Sequence, residues 1–268
     1  MAISFSSFTN CAPYVLSVLK PVLIRGRHGI GKSETIYQVA KRMNLPVVER
    51  RASQMTEGDL LGLPDNRDVV VNGIKATTFN PPDWFVTACT EACVLFFDEI
   101  DRATMEVRQG IFELTDSRKI NGHFLHPETV IIGAVNGGEH GSQYQVGEFD
   151  PAELDRWTVF DLEPTVEDFL QWAKGKVDDM VWDFINQNRG HLEHTADIEP
   201  NKRYPSRRSW KRLNDVLAKA EALEAGPTMF NLAQSFVGFE AAVALNDFAK
   251  NYERVVTVEQ LLNGERKE

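Results

Sequence analysis

The chain has 268 residues, enough for one to two domains, and its 43% hydrophobic, 25% charged and 10% aromatic composition is that of an ordinary globular protein. Disorder, collagen-like repeats and disulfide scaffolds are excluded, and a chain this long buries enough surface to fold without a metal or disulfide staple. The formal net charge of -10 opposes indiscriminate binding to nucleic-acid backbones or anionic membrane. Residues Met1 to Asn10 lack an apolar run of signal-peptide length, and no stretch is apolar enough to cross a bilayer, so the expected location is cytoplasmic. Cys11, Cys89 and Cys93 are odd in number, and the last two have helical rather than zinc-knuckle spacing; they read as reduced, buried thiols.

Short apolar runs alternate with amphipathic segments through the first 160 or so residues, the pattern of a parallel sheet covered by helices. The first strand, Val22 to Arg25, runs into Gly26-Arg27-His28-Gly29-Ile30-Gly31-Lys32-Ser33, which fits G-x-x-x-x-G-K-[ST] and precedes a helix-compatible stretch from Glu34 to Met43. Its glycines let backbone N–H groups face a bound polyphosphate, Lys32 reaches the β and γ phosphates, and Ser33 offers a hydroxyl to magnesium. The helix starting near Lys32 adds its positive dipole end. A tight turn with no ligand is the plain alternative.

A second strand, Val47 to Arg50, is followed by Asn72-Gly73 between Val69-Val70-Val71 and Ile74, a two-residue hairpin signal. The strand Val94 to Phe97 ends in Asp98-Glu99. Alone, such a pair is ordinary surface acid; beside the glycine loop, Asp98 would hold the magnesium shell through water and Glu99 would polarise an attacking water. A phosphotransferase needs no second acid, so the pair leans toward hydrolysis. Asn121-Gly122 marks another hairpin. The strand Val130 to Val135 delivers Asn136, which either positions the lytic water or, with Gly137-Gly138, merely turns the chain. Arg156 precedes the strand Thr158 to Leu162; it either stabilises charge on a neighbouring subunit's γ phosphate or pairs locally with Glu153 or Asp155.

After Leu162 the pattern is helical. Thr165 caps a helix with Asp168 at its third position, Val177, Met180, Val181, Phe184 and Ile185 recur at helical spacing, and a helix fits Ser206 to Ala225 before a stop at Gly226-Pro227. Trp210, Leu213, Leu217 and Ala220 form its apolar face, with Trp210 a core residue. The division is an α/β domain over 1–163 and a smaller all-helical domain over 164–268. Lys202, Arg203, Arg207, Arg208, Lys211 and Arg212 make the dense basic run, read as a solvated face with one functional arginine, Arg208, because no aromatic ladder interleaves it.

Taken together, the series resembles the AAA+ ATPases, specifically the MoxR group with its CbbQ and NorQ relatives. The resemblance runs from about Val22 to Trp210 and rests on the P-loop, Asp98-Glu99-Ile100-Asp101-Arg102-Ala103, Asn136, Leu154-Asp155-Arg156-Trp157 and Arg208-Ser209-Trp210, with Asp59-Leu60-Leu61-Gly62 and Arg108-Gln109-Gly110-Ile111-Phe112-Glu113 in support. It implies a five-stranded P-loop domain with two hairpin insertions and a helical lid, binding ATP and Mg2+ between subunits of a ring, usually a hexamer. The implied nucleotide cradle is Gly26 through Glu34 with Asp98 and Arg208; Ser33 and Asp98 serve the metal, and Glu99, Asn136 and Arg156 catalyse. Family members remodel protein partners, often with a protein carrying a von Willebrand factor A domain, and small members occur in bacterial viruses. Two departures stand out: Asp101 replaces a usual Asn, and Arg207 replaces a usual proline, leaving Arg207 or Arg208 as the lid arginine. Arg102 competes with Arg156 as the arginine acting in trans. A DNA-linked AAA+ motor or loader and a monomeric P-loop kinase are the rival readings.

Overall fold

The computed structural model describes residues 2–65, 67, 69–136, 149–194, 199 and 201–252. Gly137 and Gly138, invoked above as a turn, lie outside the described residues. The chain divides between Pro164 and Thr165 into two compact units.

The first unit opens with α1 (Phe5–Ser17), capped by the Ser4 hydroxyl, whose Phe8, Ala12 and Leu16 form one buried stripe. Pro13 sits inside this helix and cannot donate to the Thr9 carbonyl. Arg42 does so instead, its guanidinium reaching Thr9 O at 2.7 Å and Asn10 Oδ1 at 2.9 Å from the end of α2. The order continues β1 (Val22–Arg25), α2 (Lys32–Arg42), β2 (Val47–Arg51), α3 (Glu57–Leu61), β3 (Leu63–Pro64), β4 (Val69–Val71), β5 (Ile74–Ala76), β6 (Phe79–Asn80), α4 (Asp83–Thr90), β7 (Val94–Asp98), α5 (Met105–Ser117), β8 (Lys119–Ile120), β9 (His123–Phe124), β10 (Val130–Val135), α6 (Pro151–Asp155) and β11 (Thr158–Asp161).

Five strands form a parallel sheet in the order β11-β1-β10-β7-β2. Side chains alternate across it, as the strand period of two requires. Leu23, Leu95, Phe97, Ile131 and Val135 enter one core; Val22, Ile24, Val94, Phe96, Ile132 and Ala134 enter the other. The three inner strands are buried on both faces, whereas the edge strands β2 and β11 are only partly covered. Both Asn-Gly pairs form two-residue hairpin turns, Asn72 and Gly73 at φ 53° and 80°, Asn121 and Gly122 at 48° and 83°.

The second unit holds α7 (Val166–Ala173), α8 (Asp179–Gln187), α9 (Arg207–Lys219), α10 (Pro227–Val237) and α11 (Phe239–Lys250), with no strand among the described residues. Thr165 and Asp168 form the expected capping box. Trp210 is fully buried and donates from Nε1 to His191 O at 2.8 Å.

Three expectations need correction. The helix expected over 206–225 ends at Lys219, with Ala220 exposed beyond it, and Gly226-Pro227 opens the next helix. Proline at the first helical position is a start signal as readily as proline beyond an end is a stop. Val177 precedes its helix rather than joining it, because Asp178 caps α8. Of the cysteines only Cys93 is buried; Cys89 is half-buried and Cys11 exposed, all three as free thiols. No helix of the described residues is long and apolar enough to cross a membrane.

Candidate active site

The loop from β1 to α2 is shaped by what its glycines lack. A Cβ on Gly26 would lie 2.8 Å from the Leu162 carbonyl and 2.8 Å from the Ile30 side chain, and Gly31 has φ 109°, closed to ordinary residues. Gly31 also stands at the amino end of α2 with no side chain capping it, so the helix presents its positive end to the loop. Ile30 is buried beneath the loop; Gly29 and Arg27 are half-buried, while His28 is exposed. Ser33 is half-buried on the first turn of α2, and Glu34 beside it is exposed.

Lys32 is buried, and its Nζ donates to Gly26 O at 2.8 Å, Arg27 O at 2.9 Å and Asn136 Oδ1 at 2.8 Å. Asn136 follows β10, and its backbone N–H donates to Asp101 Oδ2 at 3.0 Å. Asp101 is buried, with no hydrogen-bond partner for its Oδ1, and burial pushes its carboxyl above the usual carboxylate range. Lys32, Asn136 and Asp101 thus form one continuous polar chain linking the loop to two strand ends.

Asp98 ends β7 and accepts the Glu99 N–H at 2.9 Å. Burial raises its pKa, while the Lys32 ammonium pulls it back. Glu99 occupies left-handed backbone space at φ 56° and ψ 41°, a costly conformation for this residue type and one concentrated at functional sites. Its Oε2 accepts from Ser53 Oγ at 2.6 Å. The pairing of Arg51 with Asp98 explains this contact: it brings the end of β2 level with the end of β7, and Ser53 lies in the turn immediately beyond. Ser53 was not among the sequence candidates; its signal is position, two residues past the strand that neighbours the acidic pair.

Arg156 ends α6. Its local partner is neither Glu153 nor Asp155: Nε donates to Asp116 Oδ2 at 2.7 Å and Nη1 to Ala152 O at 2.6 Å. Glu153 is engaged elsewhere, by Arg108. Arg102 is exposed in the turn after Glu99. In the second unit, Arg207 is buried and donates from Nε to Glu193 at 2.6 Å, whereas Arg208 is exposed on the first turn of α9. Lys202 and Lys211 of the basic run pair with Glu199 and Asp215.

Among the described residues no three His, Cys, Asp or Glu side chains gather as a self-sufficient metal site. The donor set instead suits Mg2+, which keeps several waters and takes one or two protein oxygens together with substrate phosphates. Ser33, through its hydroxyl, and Asp98, through water, are the residues that would hold it.

A family model for the AAA domain (dynein-related subfamily) matches residues 21–156, half of the chain. The chain belongs to this AAA family. The matched segment contains the glycine loop, Asp98, Glu99, Asn136 and Arg156, so this AAA chain is an ATP hydrolase, and the kinase reading gives way. Aerobic cobaltochelatase subunit CobS of Sinorhizobium sp is 33% identical over 156 residues, covering 52% of this chain and 44% of the relative. Replication factor C subunit 1 of Schizosaccharomyces pombe is 32% identical over 114 residues, covering 41% and 12%. The chain therefore spans less than half the length of these curated relatives. The Thermotoga maritima RuvB Holliday junction branch migration motor superposes with a TM-score of 0.50 at 16% identity, over 91% of this chain and 66% of that one, a likeness of fold.

Proposed function

We propose that this AAA chain is a magnesium-dependent ATPase of the MoxR type that assembles into a closed ring, usually a hexamer, and spends hydrolysis on remodelling or maturing a protein partner. The observation that carries the reading is the joint engagement of Lys32, Asn136 and Asp101, which ties the phosphate loop to the residue expected to sense the γ phosphate. Lys32 neutralises the β and γ phosphates, and the amino end of α2 adds its dipole. Bound Mg2+, held by Ser33 and through water by Asp98, supplies charge neutralisation. Glu99 orients the attacking water and takes its proton. The Ser53 hydroxyl occupies one acceptor position of this carboxylate, and the contact is read as a resting position from which Glu99 turns toward the water. Asn136 exchanges its lysine contact for the water or the γ phosphate.

Arg156 is the residue acting in trans, and this requires head-to-tail contact between subunits, which closes as a ring or runs on as a filament. Arg208 is the lid arginine, since Arg207 is buried against Glu193. The likeness to CobS, by name one subunit of a cobaltochelatase, supports a chain that powers a partner protein, with a von Willebrand factor A protein as the adaptor class. The test is ATP turnover combined with light scattering for Glu99→Gln. This variant should bind ATP, assemble and fail to turn it over; undiminished turnover removes the base assignment, and a monomer as active as any assembly removes the ring. A DNA-linked motor is the second reading, favoured by the exposed Arg208, and it requires DNA binding that weakens steeply with salt.

A further inference from the structure

Helix α6, which carries Arg156 at its end, has five residues and buries none of them fully; Leu154, half-buried against the core, is its apolar contact. One stripe of α5 supplies its polar anchors. Arg108, Phe112 and Asp116 follow one another at four-residue spacing and therefore share a helix face. Arg108 Nη2 donates to Glu153 Oε2 at 2.7 Å, with only 7% and 13% of the two side chains exposed. The same guanidinium lies over the Phe149 ring, 4.6 Å from its centroid, and Phe149 meets Phe112 edge-on at 5.8 Å. Asp116, two turns beyond Arg108, takes the Arg156 guanidinium. Glu153 also accepts the backbone N–H of Asp150, the cap of α6, at 3.0 Å, so one carboxylate fixes the start of the helix to α5.

We infer that Arg108 is a positioning residue for Arg156: it anchors α6 through Glu153 and so sets the point from which the arginine is delivered to a neighbouring subunit. The inference rests on the reading of Arg156 as the trans-acting arginine. Arginine suits the position because its planar fork meets a carboxylate along its edge while its face stacks on a ring, which an ammonium does not reproduce. A buried ion pair adds little to stability over a neutral pair of similar shape, but it fixes relative geometry, and a misplacement of about 1 Å costs about 100-fold in rate. Arg108 therefore matters for aim more than for holding the fold together.

The experiment compares R156A, R108K, R108M/E153Q and the triple variant R108M/E153Q/R156A in melting temperature, affinity for a fluorescent ATP analogue and kcat. R108M/E153Q removes both charges of this pair together, so it should melt within about 4 °C of the parent and bind nucleotide with unchanged Kd, while kcat falls about 100-fold. R108K should fall between the parent and that variant. The triple variant should be no slower than R156A alone, because removing an arginine that is already misaimed costs nothing more. Losses that multiply in the triple variant, a full rate for R108M/E153Q, or loss of nucleotide affinity in both R108K and R108M/E153Q overturns the inference while a slow R156A leaves the Arg156 reading standing. A full rate for R156A overturns that reading and the inference with it.

Discussion

Asn136 Oδ1 accepts a hydrogen bond from Lys32 Nζ at 2.8 Å, joining residues 104 positions apart in the chain. Both groups are buried, so neither is positioned by solvent. If Lys32 serves ground-state binding and Asn136 serves the reacting water, their variants separate in kinetics. Lys32→Ala should abolish measurable ATP binding. Asn136→Ala should keep binding and lose about 100-fold in kcat, the usual cost of one polar group aimed at developing charge. Equal loss of affinity in the two variants would place Asn136 with the binding groups instead.

Ser53→Ala removes the hydroxyl on Glu99 and leaves the acid otherwise intact. With the resting contact gone, basal ATP turnover should rise, by up to about tenfold if the contact is worth about 1.4 kcal/mol in the resting state. Steady-state phosphate release measures it. A fall in kcat would mean that Ser53 aims the base rather than parks it.

Asp101 gives a pH signature. Burial raises its folded pKa, so the folded chain holds that proton to higher pH than the unfolded chain does. The stability this confers is complete below the ordinary carboxylate pKa and is lost as pH rises through the raised value. Asp101→Asn keeps an acceptor for the Asn136 N–H but cannot ionise. Its melting temperature should gain on the parent as pH rises from about 4 to about 8. A constant difference across that range would exclude Asp101 as the source.

Trp210→Ala should cost about 3–5 kcal/mol, the range for emptying a buried large aromatic site, and urea unfolding followed by circular dichroism reads it. Trp210→Phe keeps most of the ring and loses the bond to His191 O, so its cost should be smaller.

The legible parts of this chain were those whose physics is local. The strand β1, the glycine loop and α2 follow from composition over about twenty consecutive positions, and the Asn-Gly turns follow from two residues that tolerate positive φ. What depended on distant neighbours was not legible. Ser53 gained its place only through the register of β2 on β7, and Asp116 captured Arg156 across 40 residues while the nearer Glu153 was taken by Arg108. Helix α1 contains Pro13, ordinarily a helix breaker, and its tolerance depends on Arg42 serving the Thr9 carbonyl from another helix. The end of α9 is not legible from sequence because a Gly-Pro pair marks either a stop or a start.

The alignment of Phe97 with Gly133 between β7 and β10 has a practical corollary. A slip of two residues would preserve which side chains face each core, since alternation survives an even shift, yet it would carry Asp98 about 7 Å along the sheet. Refolded material with such a slip would keep its helicity and hydrodynamic radius but be silent toward ATP. Turnover per milligram is therefore a sharper gauge of correct strand pairing in this protein than any spectroscopic measure of bulk structure.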